Sequence, residues 1–140
     1  EESKQLGQQL KSYKKHAIAS MALDLVKHFG NAGKIPLLTA IVDQDAEGMQ
    51  MLTDELFKKT PSAVIILAAK SADRCQIYVR VSSDLVQRGV HAGQLIKEIG
   101  PLVGGSGGGK ADSAQAGGKE PSGIDKAFSH AHNFLSGITP

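Results

Sequence analysis

The chain has 140 residues, 41% of them hydrophobic and 21% charged, and a formal net charge of +2. That balance argues against wholesale disorder and supplies one core, and no apolar run approaches the ~20 residues that span a bilayer. The slight positive charge means that any nucleic-acid binding must rest on shape and local contacts, not on gross electrostatics.

The only cysteine, Cys75, allows no internal disulfide, and no Cys-x-x-Cys or Cys/His metal spacing exists. The opening Glu1-Glu2-Ser3-Lys4 has no initiator Met and is not a secretory signal. Both features are expected of a piece of an intracellular protein.

Residues 4–29 read as one helix. Leu6, Leu10, Tyr13 and Ala17 recur at helical spacing, and Ile18, Met21, Leu25 and Phe29 continue the stripe on a slightly rotated face. Gly30-Asn31-Ala32-Gly33 stops it. A single apolar stripe must bury itself against the domain, another helix or a copy of itself, so residues 1–33 are expected to act as a spacer or dimerisation helix.

Ile35 to Asp43 reads as a strand apolar on both faces. Asp45 can cap a helix from Ala46 to Lys59 that faces inward through Met49, Leu52 and Leu56. Ala63 to Ala69 is a continuous apolar run of strand length, as expected for a strand covered on both sides. After a turn at Ser71-Ala72-Asp73-Arg74, Cys75 to Val81 alternates: Cys75, Ile77, Val79 and Val81 face one way, Gln76, Tyr78 and Arg80 the other. The short connection makes this strand antiparallel to its neighbour.

Asp84 to Gln87 forms a helical turn. His91 to Ile99 forms a helix with Leu95, Ile96 and Ile99 inward, ended by Pro101. A glycine-rich stretch follows, holding a short strand at Ala114 to Gly117. Ser122-Gly123-Ile124-Asp125 then reads as a capping box opening a last helix to Ser136, with Ile124, Ala127, Phe128, Ala131 and Leu135 as its core stripe. This order predicts an α/β protein: an N-terminal helix, then a small globular domain over 34–140 with a mixed β-sheet flanked by helices.

Gly104, Gly105, Gly107, Gly108, Gly109, Gly117 and Gly118 place seven of the chain's 16 glycines in one short window. Each loses more backbone entropy on ordering than any other residue, so an ordered segment of this kind must need positive φ or close approach. A flexible linker fits the composition; its position between a buried helix and a capped helix, and its punctuation by Lys110, Asp112, Gln115 and Lys119, argue against one. Gly104 to Lys110 satisfies the G-x-x-x-x-G-K spacing of a phosphate loop, but Ala111 stands where a hydroxyl would hold Mg²⁺, and a helix precedes it. The remaining reading is a cradle of backbone amides for nucleic-acid phosphate and sugar, with Lys110 and Lys119 adding charge and Gln115 reaching a sugar or base edge.

The run Gly-Gly-x-Gly-Gly-Gly-Lys followed by Ala-Gln-Ala-Gly-Gly resembles the signature at the C-terminal end of alanyl-tRNA synthetases, in the small domain they share with DHH-type phosphoesterases. Val81-Ser82-Ser83-Asp84-Leu85 and the stretch from Ala92 to Val103 are similar to that family in the same order, and the match is closest over residues 77–135. The resemblance implies a C-terminal module that contacts the elbow of an alanine-specific tRNA, homodimerisation through the helical part in some members, and a cytoplasmic, or else mitochondrial or plastid, parent ligase. It implies no catalysis and no cofactor in this piece, which lacks nucleotide-binding, editing-zinc and Asp-His-His motifs. A substrate-binding module of a DHH-type phosphoesterase, or a mainly dimerising domain, are the alternatives.

Other residues carry weaker signals. Arg88, just before the His91 helix, is either a phosphate contact or an ordinary surface arginine. Tyr78 between Gln76 and Arg80 is a stacking platform or a covered sheet residue. His130 and His132, two apart on a helix, point roughly 200° from each other and make a poor metal pair. Cys75, on the apolar side of its strand, reads as a small buried hydrophobe.

Overall fold

A computed structural model describes residues 16–28, 30–32, 35–42, 46–70 and 73–137. Residues 16–25 form helix α1, closed by a 3₁₀ turn at Val26–His28. Then come β1 (Gly30–Ala32), β2 (Ile35–Ile41), α2 (Ala46–Lys59), β3 (Val64–Lys70), β4 (Cys75–Val81), α3 (Ser83–Gln87), α4 (Ala92–Ile99), β5 (Ser106–Gly109), β6 (Ser113–Gly118) and α5 (Ile124–Ser136). The strands make one mixed sheet in the order β1-β2-β3-β4-β6-β5, in which only the β2–β3 pair is parallel. The parallel pair is the one joined through a helix, α2, as such a pair requires.

Both faces of the sheet are covered, which is why β3 is buried at five consecutive positions, Val64 to Ala68. On one face α4 and α5 pack Leu95, Ile96, Ala127, Ala131 and Leu135 against Ile77, Val79 and Ala116. On the other, α1 and α2 pack Ile18, Ala22, Met49, Leu52 and Leu56 against Leu38, Ile65 and Leu67. The period-two alternation of β4 sorts its side chains between the two cores.

Several elements differ from the sequence reading. Gly30, Asn31 and Ala32 are more than a helix stop: they form β1, paired antiparallel with Leu37, Pro36 and Ile35. Three residues are too few to show periodicity, so the strand exists only through its partner. Residues 33 and 34, where the domain boundary is expected, lie outside the described residues; β1 and β2 on either side are paired, and Ile18 and Ala22 are buried against the sheet. Leu6, Leu10 and Tyr13, on which a self-association seam would rest, lie outside the described residues, as do Phe29 and Asp45. The capping box does not form: a 3₁₀ turn, Pro121–Gly123, leads into α5, whose N-cap is Gly123 with no side-chain cap bond. Gly123 is fixed there by packing, since a Cβ on it would collide with the Leu102 carbonyl oxygen.

The largest difference is the glycine run. It is neither a loop nor a tether but an edge hairpin, with β5 paired to β6 as Ser106↔Gly117, Gly107↔Ala116, Gly108↔Gln115 and Gly109↔Ala114.

Candidate nucleic-acid interface

The hairpin is held from three directions. At its tip Lys110 N–H donates to the Ser113 carbonyl at 2.7 Å. The first amides of α4, Ala92 and Gly93, donate to the Ala111 and Lys110 carbonyls at 2.8 and 3.1 Å, so this helix start is spent on the tip and is not an anion site. The Val81 amide donates to Asp112 O at 2.9 Å, tying the tip to β4. At the base, Gly104 takes a φ of 70° to close the 3₁₀ turn Gly100–Val103, a backbone state that disfavours any side chain.

Most of the glycines answer to the fold itself. Cβ atoms on Gly105, Gly107 and Gly109 would strike the β6 backbone, and one on Gly118 would strike Val103. Gly108 and Gly117 have nothing within 4 Å of a Cβ position. These two are the bare main chain that another molecule can approach. The Lys110–Ser113 bond also fixes the alternation: Gly108 is a hydrogen-bonded position, and the N–H groups of Gly107 and Gly109 point to the outer edge.

Two clefts flank this edge. One, about 490 Å³, lies over the part of the sheet that α2 leaves uncovered; Glu47, Gln50, Tyr78, Gly108, Lys110 and Gln115 are among its walls. Its floor is a register row of three strands, Gly108 opposite Gln115 and Gln115 opposite Tyr78. The other, about 600 Å³, lies on the α4 side between His91, Gln94, Lys97, Glu98 and Lys110. Lys110 lines both.

Arg80 ties β4 to α2, the helix whose first turns carry Glu47 and Gln50 into the first cleft. Its Nη1 donates to Asp54 Oδ1 at 3.1 Å and to Thr53 Oγ1 at 3.3 Å, and its guanidinium lies 5.4 Å from the Phe57 ring centre. Sequence reasoning gave Arg80 a place on the sheet but no task, because its partners come from a helix over twenty residues upstream.

The expected site residues divide. Gly107, Gly108, Gly109, Lys110 and Gln115 are gathered on the outer hairpin. Lys119 stands beyond the far end of β6, ~20 Å along the strand from the tip that holds Lys110. Arg88 is exposed at the end of α3 and lines neither cleft. Tyr78 is buried beneath α2 with an edge reaching the first cleft, so it offers little stacking area. His130 Nε2 lies 3.2 Å from Glu98 Oε2, a pairing between α5 and α4. Cys75 is buried, and burial pushes its thiol pKa up, which leaves it a poor nucleophile. Among the described residues no cluster of three His, Cys, Asp or Glu could hold a metal ion, and no helix is long and apolar enough to cross a membrane.

Comparison with known proteins gives a consistent picture. Residues 34–137 match the DHHA1 domain. The alanine–tRNA ligase of Halalkalibacterium halodurans is 39% identical over 106 residues, 75% of this chain and 12% of that protein, so the chain spans about an eighth of its relative. Among solved structures, the C-Ala domain from Aquifex aeolicus alanyl-tRNA synthetase superposes with a TM-score of 0.72 at 31% identity, covering 78% of this chain and 98% of that one. RecJ from Thermus thermophilus has a TM-score of 0.69 at 12% identity over 92% of this chain and 19% of its own, a likeness of fold alone.

Proposed function

The chain belongs to the DHHA1 domain family, and on that premise we propose that it is the tRNA-binding C-terminal module of a cytoplasmic alanine–tRNA ligase, docking on the tRNA elbow. The observation that carries this reading is the likeness to the C-Ala domain, which the chain covers over 98% of its length at 31% identity. The outer hairpin supplies the surface. Bare backbone at Gly108 and Gly117 lets a nucleotide come close, outward N–H groups at Gly107 and Gly109 offer donors to its sugar-phosphate, and Lys110 adds a charge shared by both clefts.

Recognition of this kind reads shape and not sequence. With a net charge of +2 the isolated module binds modestly. Tethering inside the parent enzyme raises its effective concentration near the tRNA, where aminoacylation and editing belong to other modules. In this reading the piece itself performs no chemistry and needs no cofactor.

RNA footprinting of the chain on full-length alanine tRNA tests the proposal. Protection at the elbow, lost with Gly108→Leu, is the expected result. Protection confined to the acceptor end, or none at all, overturns it.

A further inference from the structure

We infer that the cleft between α2 and the outer hairpin is a pocket for one unstacked guanine base, with Glu47 as the residue that selects it. The inference rests on the tRNA-binding reading and names what the hairpin would hold. A cleft of about 490 Å³ lies within the size range of small-molecule sites. What it lacks is a phosphate site's electrostatics: Glu47, in the first turn of α2, puts a carboxylate in the wall, and Lys110 at the rim is the only cation among its described lining residues. A carboxylate repels a phosphate and invites hydrogen-bond donors.

One polar group inside is oriented by a neighbour. Gln76 Nε2 donates to Gln115 Oε1 at 3.1 Å, so the Gln115 amino group is the end turned away from Gln76. Among its described lining residues the pocket thus offers one carboxylate, Glu47, and amide donors from Gln115 and Gln50, with the Ser113 and Tyr78 hydroxyls beside them. The helix carrying Glu47 is tied to the sheet further along, where Arg80 bonds to Asp54 and Thr53. Gly108, with nothing within 4 Å of its Cβ position, gives a flat peptide surface beneath a base.

Among the four RNA bases, only guanine presents two adjacent donors, N1–H and the N2 amino group, on one edge, and a carboxylate accepts both at once. The neighbouring O6 is an acceptor suited to the Gln115 amino group. Adenine and cytosine place a ring acceptor where guanine has its N1–H, and uracil has a single donor between two acceptors. Lys110 at the rim is placed for the attached phosphate.

The test uses guanosine 5′-monophosphate and inosine 5′-monophosphate, which differ only in the N2 amino group, titrated into the chain and followed by amide NMR. The guanine nucleotide should bind about tenfold tighter than the inosine one, with shifts centred on Gly108, Gly109 and Gln115. Glu47→Gln, at an exposed position, should fold normally and bring the two nucleotides to within about twofold of each other. Equal binding by the native chain, no saturable binding at millimolar nucleotide, or a preference untouched by Glu47→Gln overturns the pocket. Footprints of the native chain on alanine tRNA, run alongside, report separately on the tRNA reading, which stands or falls on elbow protection whatever the mononucleotides do.

Discussion

A Cβ placed on Gly107 would lie 2.5 Å from the Cα of Ala116, its register partner across the outer hairpin. No real side chain tolerates that approach, so glycine is required here by the chain's own backbone. One residue on, the Cβ position of Gly108 is open. Gly107→Ala should therefore cost about 1–3 kcal/mol by overpacking, while Gly108→Ala stays within about 0.5 kcal/mol of the parent. Urea midpoints of the two variants decide it, and equal midpoints would refute the division between inward and outward glycines.

The open position gives a binding prediction free of folding effects. Gly108→Leu should keep the parent's stability but weaken binding to alanine tRNA about tenfold, or ~1.4 kcal/mol, by blocking backbone approach. A gel-shift series against the same tRNA measures it. Gly117→Leu, on the same exposed surface of β6, should act in the same direction.

Arg80 ties the sheet to α2. Arg80→Ala removes its bonds to Asp54 and Thr53, its contact with the Phe57 ring and the packing of its stem. Its side chain is 20% exposed and that of Asp54 is 53% exposed, so solvent discounts the ion pair. The expected loss is roughly 1–2 kcal/mol, mostly from packing and the ring contact, read as a lower urea midpoint with faster amide exchange in α2. Arg80→Lys should recover only part of it, since an ammonium cannot reproduce the planar fork.

Asp84 makes stability depend on acid. Hydrogen bonds from the Ser62 hydroxyl, and then from Ser82, hold its carboxyl below the usual aspartate range. A carboxylate whose folded pKa is depressed stabilises the fold above its unfolded pKa, and the contribution is lost as pH falls through the lower folded value. Ser62→Ala should raise the Asp84 pKa towards the ordinary value and move that loss to higher pH. Carboxyl NMR titration of parent and variant checks the direction; an unchanged Asp84 titration would show that Ser62 is not the cause.

Periodicity sufficed wherever an element carries enough residues to show it. Met49, Leu52 and Leu56 are buried as their helical spacing required, β4 spans the alternating Cys75 to Val81, and the continuous apolar run of β3 is covered on both sides. The resemblance carried by the glycine signature was legible for the same reason, because it lies in consecutive letters. β1 and the capping of α5 were not legible, since a three-residue strand and a buried glycine cap are defined by partners distant in the chain.

The amino-acid order alone determined a mixed α/β layout, the inward faces of α2, α4 and α5, and the concentration of glycine that something in the fold must require. Tertiary structure alone decided what each glycine is for. Composition cannot tell a residue that needs positive φ, such as Gly104, from one pressed against its neighbour, such as Gly107, or one left open, such as Gly108. That distinction depends on which atoms lie within about 3 Å of an absent Cβ, and strand pairing and helix packing place those atoms from other parts of the chain.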